Sequence, residues 1–301
     1  MTTVEKTIEG FLQDIVSHPE DHSIWLILAD YLEDCEDPRG ELVRLTWELS
    51  YDQEHCEFGR RQDRLQELLL QGVEPVRPRR LLNETWFVWI PPGEFNMGSE
   101  AKYLKYADET LHPVTISKGF WMSQLPFCTQ PGVVDSFTDM QEAENVVRVL
   151  GGDTVLPTEA EWEYACRAGT RTRWNFGNSC KRELVVPAVN LDTEKVEIPA
   201  GFFPPNAWGL HHMHGLIWEP CQDYYLADLS QVQQVDPCIL SNYRHHGVIS
   251  DRRYRVIRGG PYYQFHHQIN AVTGCGRSAG RFALVHRAHL GLRLVYRGQD
   301  D

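Results

Sequence analysis

The sequence predicts an α+β chain in two parts: a small acidic helical domain over residues 1–72, then, after a linker over 73–83, a loop-rich domain of short strands over 84–301. Three observations predict it. Apolar residues recur at helical spacing through the first 72 residues. Beyond Pro75 the chain fills with Pro-Gly punctuation and carries most of its aromatics. Charge divides unevenly, since residues 1–82 hold 18 acids against nine bases.

Each element follows from local pattern. Val4, Ile8, Phe11, Leu12 and Ile15 mark a first helix that Pro19 closes. Ile24 to Leu32 form a second, with Asp21 and Ser23 as candidate N-caps. Pro38 and Gly40 separate it from a third carrying Leu42, Leu45 and Leu49, and a fourth runs through Leu65, Leu68 and Leu69. The acidic faces read as a docking adaptor or as a solvated helical cap on the larger domain. Residues 73–82, with two prolines and three arginines, predict an accessible linker, because helix is disfavoured before proline. From Trp86 the pattern is short strands, Trp86–Ile90 and Val114–Ile116 among them, with one well-marked helix after Pro157. Thr158 caps that helix, and Glu161 completes a capping box.

Composition excludes several classes. The 301 residues carry 29 Lys and Arg against 42 Asp and Glu, a net charge of −13, which disfavours direct nucleic-acid binding. No run approaches the roughly 18 apolar residues of a membrane span, and the first residues lack the apolar stretch of an export signal. The eight cysteines include no CxxC pair and read as reduced thiols, so the expectation is a cytoplasmic protein with no membrane partner.

Two resemblances emerge from the motifs. Leu28-Ala29-Asp30-Tyr31-Leu32-Glu33-Asp34 followed by Asp37-Pro38-Arg39-Gly40-Glu41 resembles a small helical module of multidomain bacterial proteins, one that implies no chemistry. The second part carries W-I-P-P-G-E-F-N-M-G-S (89–99), H-P-V-T-I-S (112–117), L-P-T-E-A-E-W-E-Y-A (156–165) and F-P-P-N-A-W-G-L (203–210). It continues with M-H-G-L-I-W-E (213–219), R-V-I-R-G-G (255–260), R-S-A (277–279) and L-G-L-R-L (290–294). In that order these resemble the formylglycine-generating-enzyme, or sulfatase-modifying-factor, family. The resemblance implies a loop-rich fold related to C-type lectins. Family oxidases convert a substrate cysteine to formylglycine with copper held by two cysteines that follow the R-G-G element.

Here the chain departs from the family. Aligned from Arg258-Gly259-Gly260 to Arg277-Ser278, Gln264 and Ile269 stand in the two cysteine positions. Copper(I) is soft and takes thiolates, so an amide and an isoleucine argue against copper and against this oxidase chemistry. The family's calcium-binding M-x-G-N-V-W-E-W element has Leu216 for its asparagine. Val189-Asn190-Leu191 resembles another calcium element, which leaves Asn190 either a ligand of a structural calcium or a turn residue.

Nine of the 13 histidines follow residue 210, yet none forms a helix-borne metal signature. Where the resemblance implies the family's active-site cleft, the sequence offers Tyr262, Tyr263, Gln264, Phe265, His266 and His267, with Arg277, His286 and His289 as further candidates for the same binding surface. The same fold displays variable binding surfaces in retroelement-diversified proteins, also after R-G-G; the alternative is that these side chains pack loops together. The expected function is a non-catalytic protein- or peptide-binding module, a regulatory or adaptor component of a bacterial system, with no catalytic residue and no required cofactor. The alternative is an oxidoreductase of the family with altered chemistry, acting on a peptide side chain.

Overall fold

The computed structural model describes residues 2–52, 56–98, 111–130, 133–137, 139–178, 195–197, 202–226, 229, 232–240, 244–245, 248–249, 254–259, 278–281 and 290–298. Four helices come first, as the periodicity predicts: α1 Thr3–Ser17, α2 Ser23–Asp34, α3 Arg39–Tyr51 and α4 Phe58–Leu70. Thr2 and Glu5 cap α1 reciprocally, and α1 stops at Ser17, just before Pro19. Asp21 accepts from the Ser23 N–H at 3.0 Å, which places it one residue before the N-cap, His22.

The D-P-R-G-E turn between α2 and α3 has a physical reason. Asp37 accepts from both the backbone N–H and the guanidinium of Arg39, fixing the start of α3. A Cβ on Gly40 would lie 2.8 Å from Glu33 and 2.9 Å from the Ala29 carbonyl, so the two helices meet there only because the residue is glycine. Arg44 reaches back to Glu33 and Asp30 and ties α3 to α2.

Fourteen short strands follow among the described residues. The main sheet is antiparallel, in the order β1 (Arg79–Leu82), β2 (Thr85–Ile90), β5 (Phe120–Ser123), β14 (Val295–Tyr296), β7 (Thr154–Val155). A second sheet sets β12 (Tyr254–Gly259) between β13 (Ser278–Arg281) and β9 (Trp218–Tyr224). β3 (Gly93–Met97) pairs with β4 (His112–Ile116) as a hairpin. This is the mixed α+β class that the two patterns predict.

Two local readings need correction. The second part holds two helices, not one: α5 (Met140–Leu150), capped by Asp139, precedes the expected α6 (Glu159–Arg167). The segment read as an accessible linker is in fact ordered against the core. Val76 and Arg77 are buried, and Arg79–Leu82 forms β1. The reason is that the helices and the sheets share apolar contacts: Leu45, Leu49, Leu65 and Leu69 pack in one cluster with Val88, Met122 and Trp162. Gln62 on α4 also donates to Thr172 at 2.7 Å. No helix among the described residues is long and apolar enough to cross a membrane.

Candidate functional site

The family motifs converge on a buried polar framework. The capping box at Thr158 and Glu161 starts α6, whose every residue is buried. From this helix Glu163 accepts from Arg258 of β12 at 2.6 Å, from Arg167 at 2.7 Å and from the Gly98 N–H at 2.8 Å. Arg258 also lies 3.1 Å from Glu159 and over the Trp162 ring. Burial by itself would raise the Glu163 carboxyl, but the charges of Arg167 and Arg258 outweigh it and hold the group below its ordinary value. Burial likewise opposes the Arg258 charge, and Glu163 with Glu159 more than restores it.

A second node adjoins the first. The Trp162 indole N–H donates to Glu219 Oε2 at 2.6 Å, and Arg293 donates to Glu219 Oε1 at 2.8 Å. Arg293, wholly buried, also donates to the carbonyls of Ser123, Gln124 and His211. These residues come from L-P-T-E-A-E-W-E-Y-A, M-H-G-L-I-W-E, R-V-I-R-G-G and L-G-L-R-L. Their charges are fully engaged with one another, which suits a scaffold more than a reaction.

Gly259 ends β12 at φ +82°, where a Cβ would come within 3.1 Å of the Ile217 carbonyl. Tyr262, Tyr263, Gln264, Phe265, His266, His267, Arg277, His286, His289 and Asn190 lie outside the described residues. What the described residues fix is the base of the 260–277 connection. Ile257 pairs with Ser278 across β12 and β13, so both ends of that segment are held on adjacent strands. Leu216, in the asparagine position of the calcium motif, takes φ +65° and buries its side chain with Val134 and Ile217. An asparagine adopts that backbone more readily than a leucine does.

The histidines after residue 210 are partly engaged elsewhere. His211 donates from Nδ1 to the Phe203 carbonyl at 3.1 Å. His214 Nε2 accepts from the Asn175 N–H at 3.1 Å, with Cys166 Sγ 3.6 Å away. That Cys–His contact is wholly buried, and the histidine nitrogen a thiol would protonate already accepts a hydrogen bond, so it builds structure. His212, Asn175 and Gln66 of α4 line a cavity of about 20 Å³, room for one water. Burial lowers the His212 pKa to about 3 and keeps its ring neutral. Sequence patterning misses this cavity, because its walls come from three distant segments. Among the described residues no three His, Cys, Asp or Glu side chains gather as a metal site. Burial also pushes the thiols up, Cys128 to about 11 and Cys238 to about 12, away from the thiolate form that soft metals need.

Comparison with known proteins agrees with the motifs. Residues 136–297 match the model of the sulfatase-modifying factor enzyme 1-like domain. The formylglycine-generating enzyme of Bos taurus is 33% identical over 94 residues, 27% of this chain and 25% of that enzyme. The serine/threonine-protein kinase pkn1 of Chlamydia pneumoniae is 34% identical over 105 residues, 35% of this chain and 15% of the kinase. The chain thus spans a quarter or less of these two relatives. Among solved structures, PvdO from Pseudomonas aeruginosa aligns with TM-score 0.56 at 18% identity, over 73% of this chain and 98% of its own. Treponema denticola variable protein 1 aligns with TM-score 0.52 at 17% identity, over 74% of this chain and all of its own. Those two show the fold. With the family model matching more than half of its length, and the motif residues meeting in one buried framework, the chain belongs to the sulfatase-modifying factor enzyme 1-like domain family.

Proposed function

We propose that the chain is a non-catalytic protein- or peptide-binding module on a formylglycine-generating-enzyme-like scaffold, an adaptor or regulatory component of a bacterial system. One observation carries the reading: the two positions at which the family's oxidases hold copper are Gln264 and Ile269. Neither side chain can act as a soft thiolate donor, so the donor set does not fit copper. A relative named as a kinase, matched over 15% of its length, supports a domain that is combined with other activities. The described cysteines are all free thiols, which supports a reducing, cytoplasmic setting. The binding surface is assigned to Tyr262–His267, with Arg277, His286 and His289 beside it, and any ion to a structural calcium at Asn190.

Two measurements test this. Incubated with copper, oxygen and a cysteine-containing sulfatase-motif peptide, the protein should give no aldehyde product by mass spectrometry; multiple turnovers would overturn the non-catalytic reading. Tyr263→Ala with Phe265→Ala should weaken capture of a partner by about 2 kcal/mol or more with little change in Tm. A core role would instead cost about 3–5 kcal/mol of stability, and capture would then fall only in proportion to unfolded protein.

A further inference from the structure

Between α1 and β1, the edge strand of the main sheet, lies a groove of about 420 Å³ that also takes in Trp86 and Trp121. That is the size of an ordinary ligand cleft. Arg77 lies on its floor and is only 8% exposed. Its guanidinium stands 4.4 Å from the Trp25 ring and 5.8 Å from the Trp208 ring. It makes no hydrogen bond and no ion pair with any described residue. The contrast with Arg258 and Arg293 is direct, for both of those buried guanidiniums meet carboxylates.

A buried charge without a counter-ion is costly, and the effect shows in the group itself. Burial lowers the Arg77 pKa to about 10. At neutral pH it still carries its proton. The groove therefore presents a fixed positive charge, held rigid between two indole rings, with its hydrogen-bonding capacity unspent.

The walls say what would fit. Arg79, stacked 5.5 Å over Trp86, and Arg80, stacked 4.5 Å over Trp121, add two guanidiniums at the rim. Leu12 and Val16 of α1 supply aliphatic surface opposite, and Trp86 is 48% exposed. The acid on the lining, Glu9, is exposed on α1. Three arginines among indoles and aliphatic side chains complement a carboxylate flanked by apolar groups. A long polyanion fits poorly, because the helical part beside the groove is itself strongly acidic.

We propose that this groove binds an acidic peptide segment, an Asp or Glu between apolar residues, with Arg77 as the counter-ion of its carboxylate. The proposal stands whether or not the Tyr262–His267 segment binds a partner. Fluorescence polarisation with fluorescein-labelled Leu-Glu-Leu-Glu-Leu amide tests it on the full chain. The matched Leu-Gln-Leu-Gln-Leu peptide should bind about tenfold or more weakly, and Arg77→Met should lose the same factor, the scale of one desolvated charge pair. Removing an uncompensated buried charge should leave Tm unchanged or higher in Arg77→Met. Should that variant fail to fold, Trp86→Ala, a half-exposed position, should weaken the acidic peptide at unchanged Tm. Equal affinity for the charged and neutral peptides would overturn the proposal, as would unchanged peptide affinity in both variants. So would competition by inorganic phosphate at the concentration at which unlabelled peptide competes, which would make this a generic anion site.

Discussion

Arg258→Met should lower the unfolding free energy by about 3–5 kcal/mol, the usual cost of removing one partner from a buried ion pair. The guanidinium is 1% exposed and sits between Glu159 and Glu163, so its loss leaves two carboxylates in the core, with Arg167 and the Gly98 N–H still on Glu163. The experiment is urea denaturation, reading the midpoint at constant slope. Its pH dependence has a definite sign. In the wild type the Glu163 pKa is depressed, so its contribution is present above the unfolded carboxylate value and is lost as pH falls through the folded one. In the variant, acidification relieves an uncompensated charge. The gap between the two proteins should therefore narrow toward acid. A loss below about 1 kcal/mol at neutral pH would mean that the network contributes little beyond its own desolvation cost.

Asn206→Ala should cost a comparable amount, about 3–5 kcal/mol, for a different reason. This one buried amide donates to the carbonyls of Ala165 and Cys166 at 2.7 and 3.2 Å, and accepts from the N–H groups of Trp208 and Leu210 at 3.0 and 3.1 Å. It stitches the end of α6 to the 206–210 turn, and alanine would strand polar groups on both sides. Asn206→Asp is the informative companion. It keeps the two acceptor contacts but turns a carboxylate toward two carbonyls, so it should be no milder than alanine. If aspartate were tolerated while alanine was not, the donor half of the amide would carry little, and the docking of α6 would rest on packing alone.

What was legible in the sequence was local. The capping box at Thr158 and Glu161 needs only four residues, and the structure forms it. The motifs from Trp89 to Leu294 predict the fold because they supply the buried framework of Glu163, Arg258, Glu219, Arg293 and Asn206. For the same reason they say little about chemistry, since a scaffold can host many sites. Helix α5 escapes a pattern reading because its apolar stripe of Met140, Ala143, Val146, Val147 and Leu150 is part valine, which reads equally as strand. Arg77 escapes it more completely. An arginine among prolines looks solvated, and only the fold brings Trp25 and Trp208, from well before and well after it, onto its two sides.

The position of β14 sets a timetable for biosynthesis. Val295 fills the gap between Met122 of β5 and Val155 of β7, and the Leu294 N–H reaches Ser123 across 171 residues of chain. At the ordinary rate of translation that interval is roughly 10–35 s, during which β5 has no partner on that side. The four N-terminal helices can form at once from neighbouring contacts, yet the sheet they pack against stays unfinished until β14, the strand between β5 and β7, emerges. Such a long closure slows folding and leaves an open, apolar strand edge exposed to other nascent chains. For this molecule the interval of greatest vulnerability to aggregation therefore falls on the ribosome, between the appearance of Met122 and that of Val295.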